Sequence, residues 1–185
     1  MFLNFLQLIY YKKAIFVQGI GVLGLISAII SFQSNKRIKI LVFLGIGQIF
    51  FAIHFALLGA KTASGMNLIG AIRTFSFILR ERKKYLEKNI LMFLFIALFW
   101  ATGILCWDKW ISILPVIGMT FETIALWMKE PKKIRIGLLS PRPLWLTYNI
   151  IYNSYPGVLA EAFVLTSIFI GIVRFDLFPV IKKSN

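Results

Sequence analysis

Apolar stretches long enough to cross a lipid bilayer recur along the whole length of this chain, and they constrain its fold more than any other feature. A helix needs about 20 mostly apolar residues to span the hydrocarbon core, and a soluble protein of this size could not bury so many such stretches. The composition agrees, because 59% of the residues are hydrophobic and only 15% are charged. The sequence therefore predicts an all-α, polytopic membrane protein.

The hydropathy pattern divides the chain into seven predicted transmembrane helices. The predicted spans are 14–33, 40–58, 63–79, 90–107, 111–128, 136–153 and 157–175. Residues 1–13 are too short to span the bilayer, and they lack the basic start and the cleavage site of a signal peptide. We predict that they form an interfacial helix with Tyr10 and Tyr11 at the headgroups.

Two parts of the chain, 14–80 and 111–176, follow the same plan of three apolar runs with a basic hinge and a tight turn. In the hinges, Lys36-Arg37-Ile38-Lys39 aligns without a gap on Lys132-Lys133-Ile134-Arg135. Internal similarity in parallel orientation is typical of transporters. The run 90–107 has no counterpart, and we predict that it is a linker helix. The predicted architecture is two parallel three-helix bundles joined by this linker, a 3+1+3 plan.

The basic residues test the number of crossings. If seven helices alternate, 15 lysines and arginines fall on one side and four on the other, and positive charge marks the cytoplasmic side. This predicts an outside N-terminus and a cytoplasmic C-terminus. The net charge of +14 would also fit a nucleic-acid-binding protein, but cytoplasmic loops account for it, so we expect no nucleic-acid partner. The expected partner is the lipid bilayer, and homo-oligomerisation stays open.

Polar side chains within the spans are candidates for function, because in hydrocarbon they must pair or face water. Their positions along the helices predict that several converge on one cavity open towards the outer face. The predicted solute-binding residues are His54, Asn67, Trp145, Asn149 and Glu161. Such a set suits a small polar solute, and it leaves a cationic or a ring-bearing one open. The alternative is that His54 and Asn149 bond within their own bundles, with Glu161 at the headgroup interface.

Three further charged residues, Arg73, Glu122 and Arg142, lie nearer the cytoplasmic half, and we predict a structural or gating role for them. Arg73 could instead extend to the cytoplasmic interface, and Glu122 could pair with either arginine. Pro141 and Pro143 remove backbone donors beside Arg142. They predict either a broken helix that lines a polar cavity or the irregular start of span six.

Motifs for catalysis are missing from the sequence. It contains no phosphate-binding loop, no Ser-His-Asp set and no cluster with metal-ligand spacing. The single Cys106 excludes an internal disulfide. We therefore expect no enzymatic activity, no metal and no cofactor.

Several segments together resemble a known family. They are Gln18–Val22, His54–Gly59, Ala71–Thr74, Leu114–Gly118 and the trio Trp145, Asn149 and Glu161. In this order and spacing they resemble the YgjV-like family of uncharacterised bacterial inner-membrane proteins over residues 14–176. The resemblance implies a bacterial inner-membrane location and no established activity. Residues Glu122, Gly70, Pro141 and Pro143 depart from the family pattern, so a role for them would be particular to this chain.

The 3+1+3 plan is also similar to the SWEET sugar facilitators, the PQ-loop proteins and the PnuC-type carriers, by architecture alone. The sequence contains no Pro-Gln dipeptide. We predict a facilitator or secondary transporter for a small polar solute, with alternating access between the two repeats. The alternative is a non-transporting membrane scaffold or assembly partner. Fold analogy does not decide between them.

Overall fold

All regular elements in the described part of the chain are helical, which confirms the predicted class. The computed structural model describes residues 2–32, 37–80, 89–128 and 131–172. The helices are α1 Phe2–Phe32, α2 Arg37–Leu57, α3 Lys61–Arg80, α4 Ile90–Leu105, α5 Ile113–Trp127, α6 Pro131–Leu139, α7 Pro141–Ile151 and α8 Tyr155–Ile172. A 3-10 turn, Trp110–Ser112, precedes α5.

Three of the described segments are long and apolar enough to cross a membrane, judged by length and composition. They are Lys12–Ser31, Ile38–Leu57 and Trp110–Trp127, and Ile90–Leu105 and Tyr155–Ile170 are shorter apolar helices. Large apolar side chains cover the outside of the bundle, among them Leu105, which is 85% exposed, and Ile90, which is 73% exposed. An outer surface this apolar is what lipid contact requires.

Two predicted boundaries differ from the structure. Helix α1 continues without a break through residue 13, because residues 2–18 contain neither proline nor glycine. The predicted interfacial segment is helical and forms the first part of α1, and its interfacial location stays a prediction. Span six consists of α6 and α7, which meet at Ser140 in front of Pro141. The predicted basic residues within 33–36, 81–88, 129–130 and 173–185 lie outside the described residues, as do the ends of the first and seventh predicted spans.

The turns after α2 and after α7 have the same backbone hydrogen bonds. Gly59, with φ 77°, and Asn153, with φ 52°, are the left-handed residues. The bonds are Gly59 N to Ala56 O at 3.1 Å, Ala60 N to Phe55 O at 2.9 Å, Asn153 N to Ile150 O at 3.1 Å and Ser154 N to Asn149 O at 2.9 Å. This pair of bonds is the Schellman motif, for which glycine and asparagine are the preferred left-handed residues. Each helix pair is thus joined by the same compact turn.

The helices close a ring around a common interior. In the order α1, α2, α3, α5, α7 and α8, each helix contacts the next, and α8 contacts α1. Helix α4 packs against α3 and α5. Helix α6 packs against α5 and α8. In this interior, the aromatic rings of Phe55 on α2 and Trp145 on α7 have their centres 6.1 Å apart. The centre of the Tyr148 ring is also 6.1 Å from that of Phe55. Aromatic side chains therefore join α2 to α7 across the interior.

Candidate functional site

Glu122 lies at the centre of the most highly charged buried site in the described part of the chain. On α5 it shares a helical face with Pro115 and Met119, since residues three or four apart lie on one side of a helix. Its side chain accepts hydrogen bonds from arginines on two other helices, Arg73 Nη2 to Oε1 at 2.7 Å and Arg142 Nη2 to Oε2 at 2.6 Å. Distances this short are typical of charge-assisted hydrogen bonds.

Arg73 enters this site from α3 and has no solvent exposure. Besides its bond to Glu122, its Nη1 donates to Thr123 Oγ1 at 2.9 Å. Its guanidinium carbon lies 5.6 Å from the centre of the Phe99 ring on α4. Arg73 Nε has no hydrogen-bond partner within the described residues. The predicted alternative of an arginine that extends to the cytoplasmic interface does not apply, because the guanidinium is held inside the bundle.

Gln48 on α2 completes the shell around Glu122. Its Nε2 donates to Glu122 Oε1 at 3.4 Å. Its Oε1 accepts a hydrogen bond from Thr74 Oγ1 at 2.9 Å, which turns the amide nitrogen towards Glu122. Glu122 therefore accepts hydrogen bonds from side chains on three other helices, α2, α3 and α7.

Arg142 reaches the site because of the break between α6 and α7. Pro141 and Pro143 lack backbone N–H groups, so the carbonyl oxygens one turn earlier lose their usual donors. The Arg142 side chain lies against this turn, and its Nε donates to Leu138 O at 3.1 Å. The predicted disturbance of span six is present, and it fixes the stem of Arg142 inside the bundle.

Glu161 on α8 is the last member of the cluster. Arg142 Nη1 lies 3.2 Å from Glu161 Oε2 and 3.4 Å from Oε1. We call Arg73, Glu122, Arg142 and Glu161 the ion-pair network. All four are less than 9% exposed, and with every group ionised their charges cancel. The two pairings of Glu122 that the sequence left as alternatives both occur at once.

His54 belongs to a second polar cluster, at the turn that joins α7 to α8. Its Nδ1 lies 2.8 Å from Val17 O on α1, and its Nε2 lies 2.9 Å from Ser154 Oγ. Gln18 Nε2 donates to Asn153 O at 3.0 Å in the same region. We call His54, Ser154, Gln18 and Asn153 the turn cluster. It ties α1 and α2 to the α7–α8 turn, and it fully buries the imidazole.

The residues predicted to converge are divided between these two places. Asn149 lies beside the turn cluster, with Oδ1 against Gly157 and no hydrogen-bond partner in the described residues. Trp145 packs against the rings of Phe55 and Tyr148. Asn67 Nδ2 donates to Ala63 O on its own helix at 2.9 Å. Among the described contacts, none joins Glu161 to His54 or Asn149. Glu161 faces Arg142 instead of the headgroup interface, and a solute-binding role for these residues stays a prediction.

Two residues important to this geometry had no predicted role. Gln48 stands out in the sequence as an amide within an apolar span, which is the signal that could have found it. Ser154 precedes α8, where serine commonly caps a helix, but its contact with His54 crosses between distant helices. Sequence periodicity carries no signal for such a contact. No group of three histidine, cysteine, aspartate or glutamate residues in the described ranges could hold a metal ion.

The amino-acid sequence of this helical bundle is similar to those of known proteins. The sequence model of the Imp-YgjV family, described as a bacterial inner membrane protein, matches residues 15–177. The chain belongs to this family. The protein named "Inner membrane protein YgjV" of Escherichia coli (strain K12) is 27% identical over 158 residues, which cover 85% of this chain and 83% of that protein. No solved structure matches the chain. The predicted family and the bacterial inner-membrane location are therefore confirmed.

Proposed function

We propose that this member of the Imp-YgjV family is a carrier for a small polar solute. In this proposal α1–α3 form one unit, α5–α8 form the second, and α4 links them in parallel orientation. The units move relative to each other and expose a central site alternately to the two sides of the membrane. The proposal includes no enzymatic activity.

The repeated geometry of the two units supports this arrangement. The Schellman turns at Gly59 and Asn153 are 94 residues apart and have the same bonds. The contacts between helices correspond as well. In the proposed repeat α5 is equivalent to α1 and α8 is equivalent to α3, so the α1–α8 contact has its counterpart in the α5–α3 contact. These are the relations expected of a pseudo-twofold axis along the membrane normal.

The observation that carries the proposal is the position of Glu122 between equivalent residues of the two units. Gln48 precedes Gly59 by 11 residues, and Arg142 precedes Asn153 by 11 residues, so both lie about 16 Å below their turns at 1.5 Å per residue. Both donate to Glu122. That depth is near the middle of a hydrocarbon core of about 30 Å. Ionisable groups there are costly and usually mark a transport path.

The outer turn cluster is the proposed gate on the other side of this site. His54 and Gln18 belong to the first unit, and their partners Ser154 and Asn153 belong to the second. Opening the path outward would separate these partners. The aromatic rings of Trp145 and Tyr148 would then line the path to the ion-pair network.

A reversible crosslink tests the motion. In a Cys106→Ser background, Gln18→Cys with Asn153→Cys would place a disulfide between the two units, at a point where Gln18 Nε2 donates to Asn153 O at 3.0 Å. Ala52→Cys with Ser64→Cys is the matched control within the first unit, where Ser64 Oγ donates to Ala52 O at 2.8 Å. The readout is solute uptake by proteoliposomes over a panel of sugars, amines, nucleosides and organic acids.

We expect oxidation to stop uptake only for the pair between the units, and a reducing agent to restore it. Undiminished uptake through the oxidised inter-unit pair would contradict the rocking motion. No uptake of any panel solute by the cysteine-free parent would contradict the carrier function itself.

A non-transporting scaffold is the second candidate, and one observation favours it. Both intramembrane carboxylates are paired with arginines in a closed core, so neither faces lipid or an open cleft. A scaffold needs no relative motion of its units. It would therefore keep its function in cells when the inter-unit disulfide is formed, whereas a carrier would lose it.

The orientation belongs to the same proposal. The excess of basic residues at one side supports an outside N-terminus and a cytoplasmic C-terminus. Reporter fusions after residue 185 and within 81–88 are expected to behave as cytoplasmic. A periplasmic signal from either fusion would exclude this orientation.

A further inference from the structure

We propose that Glu161 is the proton-binding group of this carrier, and that its protonation frees Arg142 to bind the acidic group of a small anionic solute. The inference rests on the carrier function proposed above and names its coupling ion and its substrate class. It starts from an imbalance between the two carboxylates of the ion-pair network.

Glu161 is held much less firmly than Glu122. Its only donor among the described residues is Arg142 Nη1, at 3.2 and 3.4 Å from the two carboxylate oxygens. Glu122 receives two arginine bonds of 2.6 and 2.7 Å and a third bond from Gln48. An ionised carboxylate has about four acceptor sites, so most of the capacity of Glu161 is unused. The Arg142–Glu161 pair is the weakest ionic contact of the network.

Arg142 is the partner of Glu161 among the described hydrogen bonds and ion pairs. The helices that pack against α8 are α1, α6 and α7. The titratable residues with described side chains on these elements and on α8 itself are Lys12 and Lys13 on α1, Lys133 on α6, Arg142, Tyr148 and the adjoining Tyr152 on α7, and Tyr155 on α8. All three lysines are exposed, and the tyrosines lie towards the outer turn. From α5, Glu122 faces Glu161 across Arg142, and from α2, His54 is bonded within the turn cluster.

The charge balance of the network links a proton to an anion. With both glutamates ionised, the four charges cancel, and an incoming anion would be repelled by Glu161. When Glu161 takes up a proton, the network carries one net positive charge, and Arg142 Nη1 loses its ionic partner. Arg142 then shares Glu122 with Arg73, so the buried network holds two arginines and one carboxylate. An excess buried charge of this kind is costly, and an anion that pairs with Arg142 Nη1 removes that cost.

The guanidinium geometry indicates which anions fit. Carboxylate and phosphate groups accept two parallel N–H bonds from arginine, and these bonds fix their orientation. A metal cation would not have this effect, because it would stand beside the positive charge of Arg142. The sequence predicted a polar solute and left a cationic or a ring-bearing one open. The Arg142–Glu161 pair supports an anionic one.

Binding to the purified protein in detergent tests the inference. The probes are acetate, succinate and inorganic phosphate, measured by calorimetry over a range of pH and by the proton uptake of a weakly buffered solution. For the wild type we expect one proton taken up for each anion bound. Above the titration of Glu161, the affinity should fall about tenfold for each pH unit, as a one-proton linkage requires.

Variants of the same carboxylate sharpen this experiment. Glu161→Gln imitates the protonated state, so we expect it to bind the anion without proton uptake and without pH dependence. Glu161→Asp retains a titratable group and should keep the proton uptake. Asp108→Asn removes an exposed acid outside the network, and it should bind as the wild type does.

Each result decides the inference. Anion binding that is independent of pH in the wild type would overturn it, and so would the absence of binding by all three probes. If Glu161→Gln does not fold, the proton uptake of the wild type decides alone. Uptake of neutral or cationic solutes by proteoliposomes, without anion binding, would exclude this inference and leave the carrier function standing. Coupled binding without transport would exclude the carrier function and leave the proton site.

Discussion

The substitution Glu122→Gln is expected to destabilise the protein by about 3–5 kcal/mol, which is the usual cost of breaking a buried ion pair by removing one partner. Glu122 is the counter-ion of Arg73 at 2.7 Å and of Arg142 at 2.6 Å, and all three residues are at least nine-tenths buried. Glutamine keeps the shape but leaves two guanidinium groups facing each other.

The assay is the free energy of unfolding in detergent micelles, followed by helical circular dichroism as denaturant is added. Asp108→Asn is the matched control, because it makes the same change in net charge at an exposed residue that bonds to Tyr152. It should cost no more than about 1 kcal/mol. The double variant with Arg73→Gln should be more stable than Glu122→Gln alone, since it removes one of the unpaired charges. If Glu122→Gln is no less stable than Asp108→Asn, the ion-pair network does not stabilise the folded state.

Two glycine predictions concern the turns. Gly157→Ala places a methyl group against Asn149 and Ser154, so we expect a loss of about 1–3 kcal/mol in unfolding free energy, whereas Gly19→Ala meets no atom within 4 Å and should be neutral or slightly stabilising. Gly59→Ala should cost about 1–2 kcal/mol because φ is 77°, and Gly59→Asn should cost less, since asparagine already occupies the equivalent position. Equal stability of all four variants would contradict both predictions.

The helical class and most of the elements could be predicted from hydropathy, because each apolar run has to bury its own backbone polar groups in a helix. The break before Pro141 was also predictable, since a proline removes a backbone donor whatever surrounds it. The continuity of α1 from the first residues into the first span was not predicted. The apolar run stops at Lys12 and Lys13, but lysine is a good helix former, so the charge changes the environment of the helix without ending it.

The pairing inside the site was harder to predict. Counting residues from a turn gives the depth of Glu161, and depth alone placed it near His54 and Asn149. It does not give the direction in which the side chain leaves the helix relative to its neighbours. That direction depends on how α7 and α8 pack, and in this packing Arg142 contacts Glu161. Only the partners of Glu122 could be predicted from the sequence, because two arginines were available at a similar depth.

The ion-pair network is not explained by stability, because apolar side chains of similar volume hold helices together as well as a buried salt bridge does. Its arrangement has a different consequence. Arg73–Glu122 is an ionic bond between the two proposed units, whereas Arg142 and Glu161 both belong to the second unit. Arg142 divides its charge between two carboxylates, so the loss of Glu161 as a partner would draw Arg142 towards Glu122 and into competition with Arg73. An anion bound to Arg142 would take the place of Glu161, so that Arg142 again shares its charge between two acidic groups. In the proposed carrier, proton and solute loading would thus set the strength of the bond that the rocking motion must break.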